Sequence, residues 1–136
     1  MSNTKARSFV TITIIIAICA LGLRYAAQQI IKMSIAQNES NAASTLKLMS
    51  AALENYAADN KGKYPDTVSA LFNTDPRYLD RNYVEESPIK GYAFSCSRLE
   101  SSSYSCSALP VRCNLSGKKS FFVATGGSLS FEDCTK

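Results

Sequence analysis

The sequence predicts an α+β fold: one long N-terminal helix, its first half suited to a membrane, packed on a small antiparallel sheet of about four strands. Three observations carry this. From Phe9 to Asn60 there is no proline, and Gly22 is the only glycine, so no strong helix breaker interrupts the run. Its first part, Phe9 to Leu23, has no charge, whereas its second part is amphipathic. The last 41 residues hold four of the five cysteines and several alternating apolar/polar stretches bounded by glycine and serine, the pattern of short strands and hairpins.

In chain order, residues 1–8 are polar and basic. The run from Phe9 to Leu23 is 15 residues, or roughly 22 Å of helix, short of the roughly 30 Å hydrocarbon core. Counting on to Ile31 gives 23 residues, enough to span if Arg24 snorkels toward headgroups. Positive charges flank both sides of the run (Lys5 and Arg7; Arg24 and Lys32), so charge alone does not orient it. Three readings compete for this segment. A secretory signal has a basic start, an apolar middle and a small-x-small cleavage site, here Ala20-Leu21-Gly22. A lipoprotein signal needs a small residue before its cysteine, where this chain has Ile18 before Cys19. A permanent anchor on a continuous helix is the third.

The next segment favours the anchor. Ala42, Leu46, Met49, Leu53 and Tyr56 recur at steps of 4, 3, 4 and 3, one apolar stripe on a helix. Glu39, Lys47, Glu54 and Asp59 fall off the stripe. The helix is expected to stop near Asn60, with Gly62 as its C-cap and Pro65 barring continuation. The organisation is therefore 9–60 as a long helix, with 9–31 membrane-embedded, and 61–136 as a globular head.

In the head, Asp66 is expected to cap a short helix over Thr67–Phe72, with Val68, Leu71 and Phe72 inward. Residues 73–90 read as a loop anchored by Pro76, Tyr78-Leu79, Tyr83-Val84 and Pro88. Strands are expected at Gly91–Cys96 and Tyr104–Val111 around a polar turn, Arg98–Ser103. A last hairpin pairs Ser120–Ala124 with Ser128–Phe131 across Gly126-Gly127. Such a sheet needs a cover, and the helical stripe is the available one.

A head of about 76 residues is marginal on its own core and needs a staple. Cys96, Cys106, Cys113 and Cys134 supply it as two disulfides in an oxidising compartment. Zinc is disfavoured: there is no Cys-x-x-Cys pair and no histidine, so no metal ligand set is expected. Four cysteines allow three pairings, but hairpin register discriminates between them. A turn near Ser101 sets Cys96 opposite Cys106. The glycine turn brings the ends of the last hairpin together, with Cys134 just past Phe131 and Cys113 seven residues before Ser120, in the connection and not on the strand.

Composition excludes some functions. The formal charge is +4, all acids lie at Glu39 or later, and the basic residues of the head are mixed with acids, so no nucleic-acid stripe is present. Without histidine the commonest general base is missing, Gly126-Gly127-Ser128 lacks the lysine of a phosphate loop, and adjacent acids at Glu85-Glu86 and Glu132-Asp133 do not alternate as calcium ligands do. No enzyme activity and no cofactor are expected.

Several segments, in this order, are similar to the type IV pilin and type II secretion pseudopilin family. They are the basic leader ending in the small residue Ser8 before Phe9; Gly22 in the apolar run; Asn38-Glu39-Ser40-Asn41-Ala42-Ala43 just past it; Lys63-Tyr64-Pro65 after the helix; Lys90-Gly91-Tyr92 opening the sheet; and Ser120-Phe121-Phe122-Val123 before a glycine turn. The resemblance implies a leader over residues 1–8 cut between Ser8 and Phe9, N-methylation of Phe9, and assembly of many copies through the apolar helix. It implies as partners other pilin or pseudopilin subunits, a prepilin peptidase and an assembly platform. It also implies a single-pass protein of the inner membrane with an extracytoplasmic head, in a periplasmic or extracellular fibre once assembled. Three departures stand out. Ser8 replaces the usual glycine. Ile30 stands where a mid-helix proline is frequent. Thr13 stands where the family has the glutamate implied to pair with a neighbouring subunit's amine, which points to a minor subunit. The rival reading is a secreted or single-pass binding module whose signal is cleaved near Gly22.

Overall fold

The computed structural model describes the backbone of residues 2–135 and the side chains of 7–135; the side chains of residues 1–6, Lys5 among them, lie outside this range. The elements are helix α1 (Ser2–Asp59), a 3-10 turn (Val68–Leu71) and strands β1 (Tyr92–Glu100), β2 (Ser103–Pro110), β3 (Lys119–Ala124) and β4 (Ser128–Asp133). The helix starts at Ser2 and not at Phe9, since nothing in the basic segment breaks it. The chain divides into two units, residues 1–34 and 35–136.

In the second unit, the half of α1 from Ile35 onward covers a sheet of order β1-β2-β3-β4, antiparallel throughout. The predicted stripe is the covering face. Ala42, Leu46, Met49 and Leu53 are at most 1% exposed, and Tyr56 packs against the same core. Opposite them lie Tyr92 and Phe94 of β1, Tyr104, Cys106 and Ala108 of β2, and Phe121 and Val123 of β3. Alternate strand residues face the helix because side chains in a strand have a period of two.

Four expectations change. Lys61 already has φ +59°, Gly62 follows at +79°, and the Gly62 amide donates to the Ala57 carbonyl at 2.7 Å. This is the six-to-one bond of a Schellman cap, so the left-handed position is Lys61 and glycine takes the next one. Asp66 caps nothing: Thr67 precedes the 3-10 turn and makes no side-chain cap bond. Val68 and Leu71 are buried, as expected. The turn between β1 and β2 is not Arg98–Ser103 but only Ser101-Ser102. The pairing shifts between Cys96 and Arg98, a bulge that returns Leu99 to the inner face opposite buried Tyr104, so the strands continue to Glu100 and Ser103. In the 73–90 segment Leu79 and Tyr83 are buried, whereas Pro76 and Pro88 are exposed and anchor nothing. Buried Asn82 holds this segment instead: its Nδ2 donates to Ser69 Oγ at 3.1 Å, and its Oδ1 accepts from the amides of Val84 and Glu85.

The disulfides join Cys96 to Cys106 and Cys113 to Cys134. Cys96 and Cys106 are direct register partners with Cα atoms 3.9 Å apart. Cys113 lies in the β2–β3 connection, where the Cys134 amide returns to the Lys118 carbonyl at 2.8 Å.

Candidate functional site

The first unit contains the candidate assembly residues. From Arg7 to Ser34 every residue is exposed, and an 18-residue window reaches mean hydropathy 2.1. The helix is therefore long and apolar enough to cross a membrane. Phe9 is 73% exposed, and Ile16, Ile18, Leu21 and Leu23 are all above 60%. An apolar surface this continuous is unfavourable in water and marks a membrane or partner contact. Ser8 and Phe9 sit inside α1, so cutting between them requires the first turns to unwind, which costs little at a helix end.

Thr13 carries a group that satisfies itself. Its hydroxyl donates to the Phe9 carbonyl at 2.9 Å, and Thr11 does the same to Arg7 at 2.8 Å. A hydroxyl bonded back to its own helix leaves no open donor in hydrocarbon. Cys19 is a free, exposed thiol. Arg24 is the single charge between Phe9 and Ile31.

In the head, polar anchors flank the apolar stripe. Glu54 is the most connected. Its Oε1 accepts from the Tyr104 hydroxyl at 2.9 Å and the Gly126 amide at 2.8 Å, and its Oε2 accepts from the Tyr64 hydroxyl at 3.0 Å. Tyr104 has one proton and gives it to Glu54, so Ser50, buried and 2.8 Å away, donates to Tyr104. This carboxylate ties helix, sheet centre, glycine turn and post-helix segment together. Burial by itself would raise its pKa, but the bonds from Tyr104, Gly126 and Tyr64 outweigh burial and hold it below the ordinary 4.5. Burial pushes the Tyr104 hydroxyl up to about 12, so it remains a donor at any working pH.

A stability expectation follows. A carboxyl with a lowered folded pKa stabilises above the unfolded value and loses that contribution as pH falls through the folded value. Glu54→Gln is expected to destabilise the head at pH 7 by about 2 kcal/mol, the scale of charged hydrogen bonds. It is also expected to flatten the decline in stability below pH 4.5. Urea melts at pH 7 and pH 3.5 measure both; equal slopes in the two proteins would exclude the role.

At the other end of the covering half, Asn38 Nδ2 donates to the Ser116 carbonyl at 3.0 Å and the Lys118 amide to Glu39 Oε1 at 2.8 Å. Next to them, buried Tyr92 donates to the Lys119 carbonyl at 2.7 Å. Its hydroxyl occupies the space a Cβ at Gly117 would need. Gly117→Ala is therefore expected to displace Tyr92 and destabilise by about 1–3 kcal/mol, the usual cost of overpacking. A thermal melt unchanged from wild type would contradict this.

Chemistry is sparse in the rest of the head. Among the described residues no group of three His, Cys, Asp or Glu side chains could hold a metal ion. In the sequence the anchoring roles of Glu39 and Glu54 have no signal beyond their place beside the stripe. The long apolar helix fits a membrane anchor or a signal sequence, and the two disulfides fit a head outside the cytoplasm. Comparison with protein-family models, with curated proteins and with solved structures finds no match for this chain.

Proposed function

We propose that this chain is a pilin-like structural subunit, held in the inner membrane by residues 9–31 and assembling through that helix into a fibre of the type IV pilus or type II secretion kind. The observation that carries the reading is the single helix α1, which supplies both the exposed apolar stretch and the buried stripe under a disulfide-bonded sheet. A signal peptide has no need of structural continuity with the domain it precedes, whereas an anchor that positions a head does. The sequence segments similar to pilins and pseudopilins support the same reading. The partners are other pilin or pseudopilin subunits, a prepilin peptidase and an assembly platform. The resemblance also implies N-methylation of Phe9.

The mature N-terminus tests it. Cleavage between Ser8 and Phe9, read by intact mass, is the expected result. A protein beginning at Leu23 would replace this reading with the secreted-module one.

Thr13 makes this a minor subunit. Its hydroxyl is spent on the Phe9 carbonyl, so it offers no charge to a neighbouring subunit's amine. Thr13→Glu is expected to raise incorporation into fibres several-fold, on the scale of a partly desolvated ion pair. Quantitative fibre shearing of wild type and variant measures it; equal incorporation would show that another contact sets assembly.

A further inference from the structure

We infer that the open edge of β4 docks an extended segment of a partner protein. The segment adds to the sheet as a further antiparallel strand, with apolar residues beside Leu129 and Phe131 and basic residues beside Glu132 and Asp133. The site belongs to the head alone and does not depend on how α1 assembles.

The sheet has two edges, β1 and β4, and the fold treats them differently. On β1 the Val111 amide donates to the Gly91 carbonyl at 2.9 Å. Hydrogen-bonded pairs alternate along an antiparallel ladder, so the backbone groups of Tyr92 and Phe94 point out of the sheet. They are met there: Tyr92 exchanges both bonds with Ile89, at 2.8 and 3.0 Å, and the Phe94 amide donates to Ser87 Oγ at 2.7 Å. On β4 the Cys134 amide donates to the Lys118 carbonyl at 2.8 Å, one step past the Lys119–Asp133 pair. By the same alternation Ser128, Ser130 and Glu132 face β3, and the amides and carbonyls of Leu129, Phe131 and Asp133 point outward. No backbone partner meets these among the described residues. Folds usually guard such an edge with proline, lysine or a bulge. Strand β4 has no proline and no lysine, and its register with β3 is unbroken.

An edge of this kind takes an extended backbone, and the side chains of β4 say which one. Phe131 pairs with buried Phe121, so Leu129, Phe131 and Asp133 lie on the face toward α1. Phe131 is nevertheless 61% exposed, an uncovered aromatic beside the place of the next strand. Ser128, Ser130 and Glu132 lie on the other face, all exposed. Glu132 and Asp133 are in no ion pair among the described residues, and the nearby Lys119 ammonium lies over the Phe131 ring, 4.4 Å from the centroid. An antiparallel strand therefore starts with basic residues, one on each face, and continues with apolar residues toward α1 and small polar ones away from it.

A second β4 does not fit. Lys118 is bonded to Glu39 and Gly126 to Glu54, so β3 runs along the covering half of α1 and β4 returns along it. Antiparallel pairing of two β4 strands would set the two helices in opposite directions, which copies held in one membrane do not adopt. It would also bring four acids together.

The test uses the full chain in nanodiscs of neutral phospholipid. The probe is a labelled peptide, capped at both ends, of two lysines followed by valine-threonine twice over. Saturable binding by fluorescence anisotropy is expected, with slowed hydrogen exchange at the Leu129, Phe131 and Asp133 amides. N-methylating the two valines, whose amides would face β4, should weaken binding about tenfold. N-methylating the second lysine and the first threonine, whose amides would face away, should leave it unchanged. Glu132→Lys should weaken binding about fivefold. No binding of the unmodified peptide, or equal binding of the two methylated forms, would overturn the proposal. So would protection of the three amides without peptide that rises with the concentration of the chain, since a second copy would then hold the edge.

Discussion

Leu53→Asp is expected to unfold the head, whereas Leu48→Asp, five residues earlier on the same helix, is expected to change its stability by less than about 0.5 kcal/mol. The two leucines differ only in the face they occupy. Leu53 is 0% exposed within the core cluster and Leu48 is 46% exposed. Removing a buried leucine costs about 2–5 kcal/mol. A carboxylate in its place has no cation to pair with and adds several more. A domain of this size has about 5–15 kcal/mol in total, so the two penalties together reach its whole stability. Urea denaturation of a soluble fragment, residues 33–136, followed by circular dichroism, gives the comparison directly. An unchanged midpoint for Leu53→Asp would mean that the stripe does not cover the sheet in solution.

The stripe was legible because its signal is periodic. Ala42, Leu46, Met49 and Leu53 repeat at helical spacing, and burial of apolar area dominates what such a helix does. The hairpins were legible for a similar reason: Gly126-Gly127 marks one turn, and alternation fixes which residues face inward. The Cys96–Cys106 pair followed from register. What escaped detection was polar. Glu39, Glu54 and Asp59 look in sequence like a solvated helix face, yet each accepts hydrogen bonds from a tyrosine or a backbone amide across the fold. Ser50 and Asn82, both buried, give no local sign either. Ser50 bonds Tyr104, 54 residues on, and Asn82 bonds Ser69, 13 residues back, besides the nearby amides of Val84 and Glu85; a polar side chain does not reveal whether its partner is water or a distant tyrosine.

The ends of elements were misplaced for a related reason. The bulge after Cys96 adds a residue, so strict alternation breaks at Ser97 although the strand continues. Lys61 adopts the left-handed conformation that glycine would fill more easily, because the cap is defined by the Ala57 carbonyl and not by residue preference. For the candidate assembly residues, the positions are read from the sequence and the structure adds their surroundings. Phe9 is exposed on an apolar helix, and Thr13 is bonded to it through the carbonyl.

The second large effect is expected on removing the Cys113–Cys134 bond. The variant Cys113→Ala with Cys134→Ala should lose about 3 kcal/mol, and its β4 amides should exchange fastest. The bond closes a loop of 21 residues and Cys96–Cys106 one of 10. Loop-closure entropy alone assigns these about 3.3 and 2.7 kcal/mol, a small difference. Location separates them. Cys96–Cys106 staples two strands that already share a register and bury Tyr92, Phe94, Tyr104 and Ala108. Strand β4 buries no residue and contributes only half-buried Leu129 to the core, so little apolar area holds it on the sheet edge. The bond at its far end does, and it also steadies the 111–118 connection that receives Asn38 and Glu39. Losing it should therefore free β4 and that connection together, while losing Cys96–Cys106 should lower global stability with β1 and β2 still paired. Hydrogen exchange with mass spectrometry on the two double-alanine variants distinguishes these outcomes. Equal protection of β4 in both would show that its ladder to β3, and not the disulfide, holds the sheet edge.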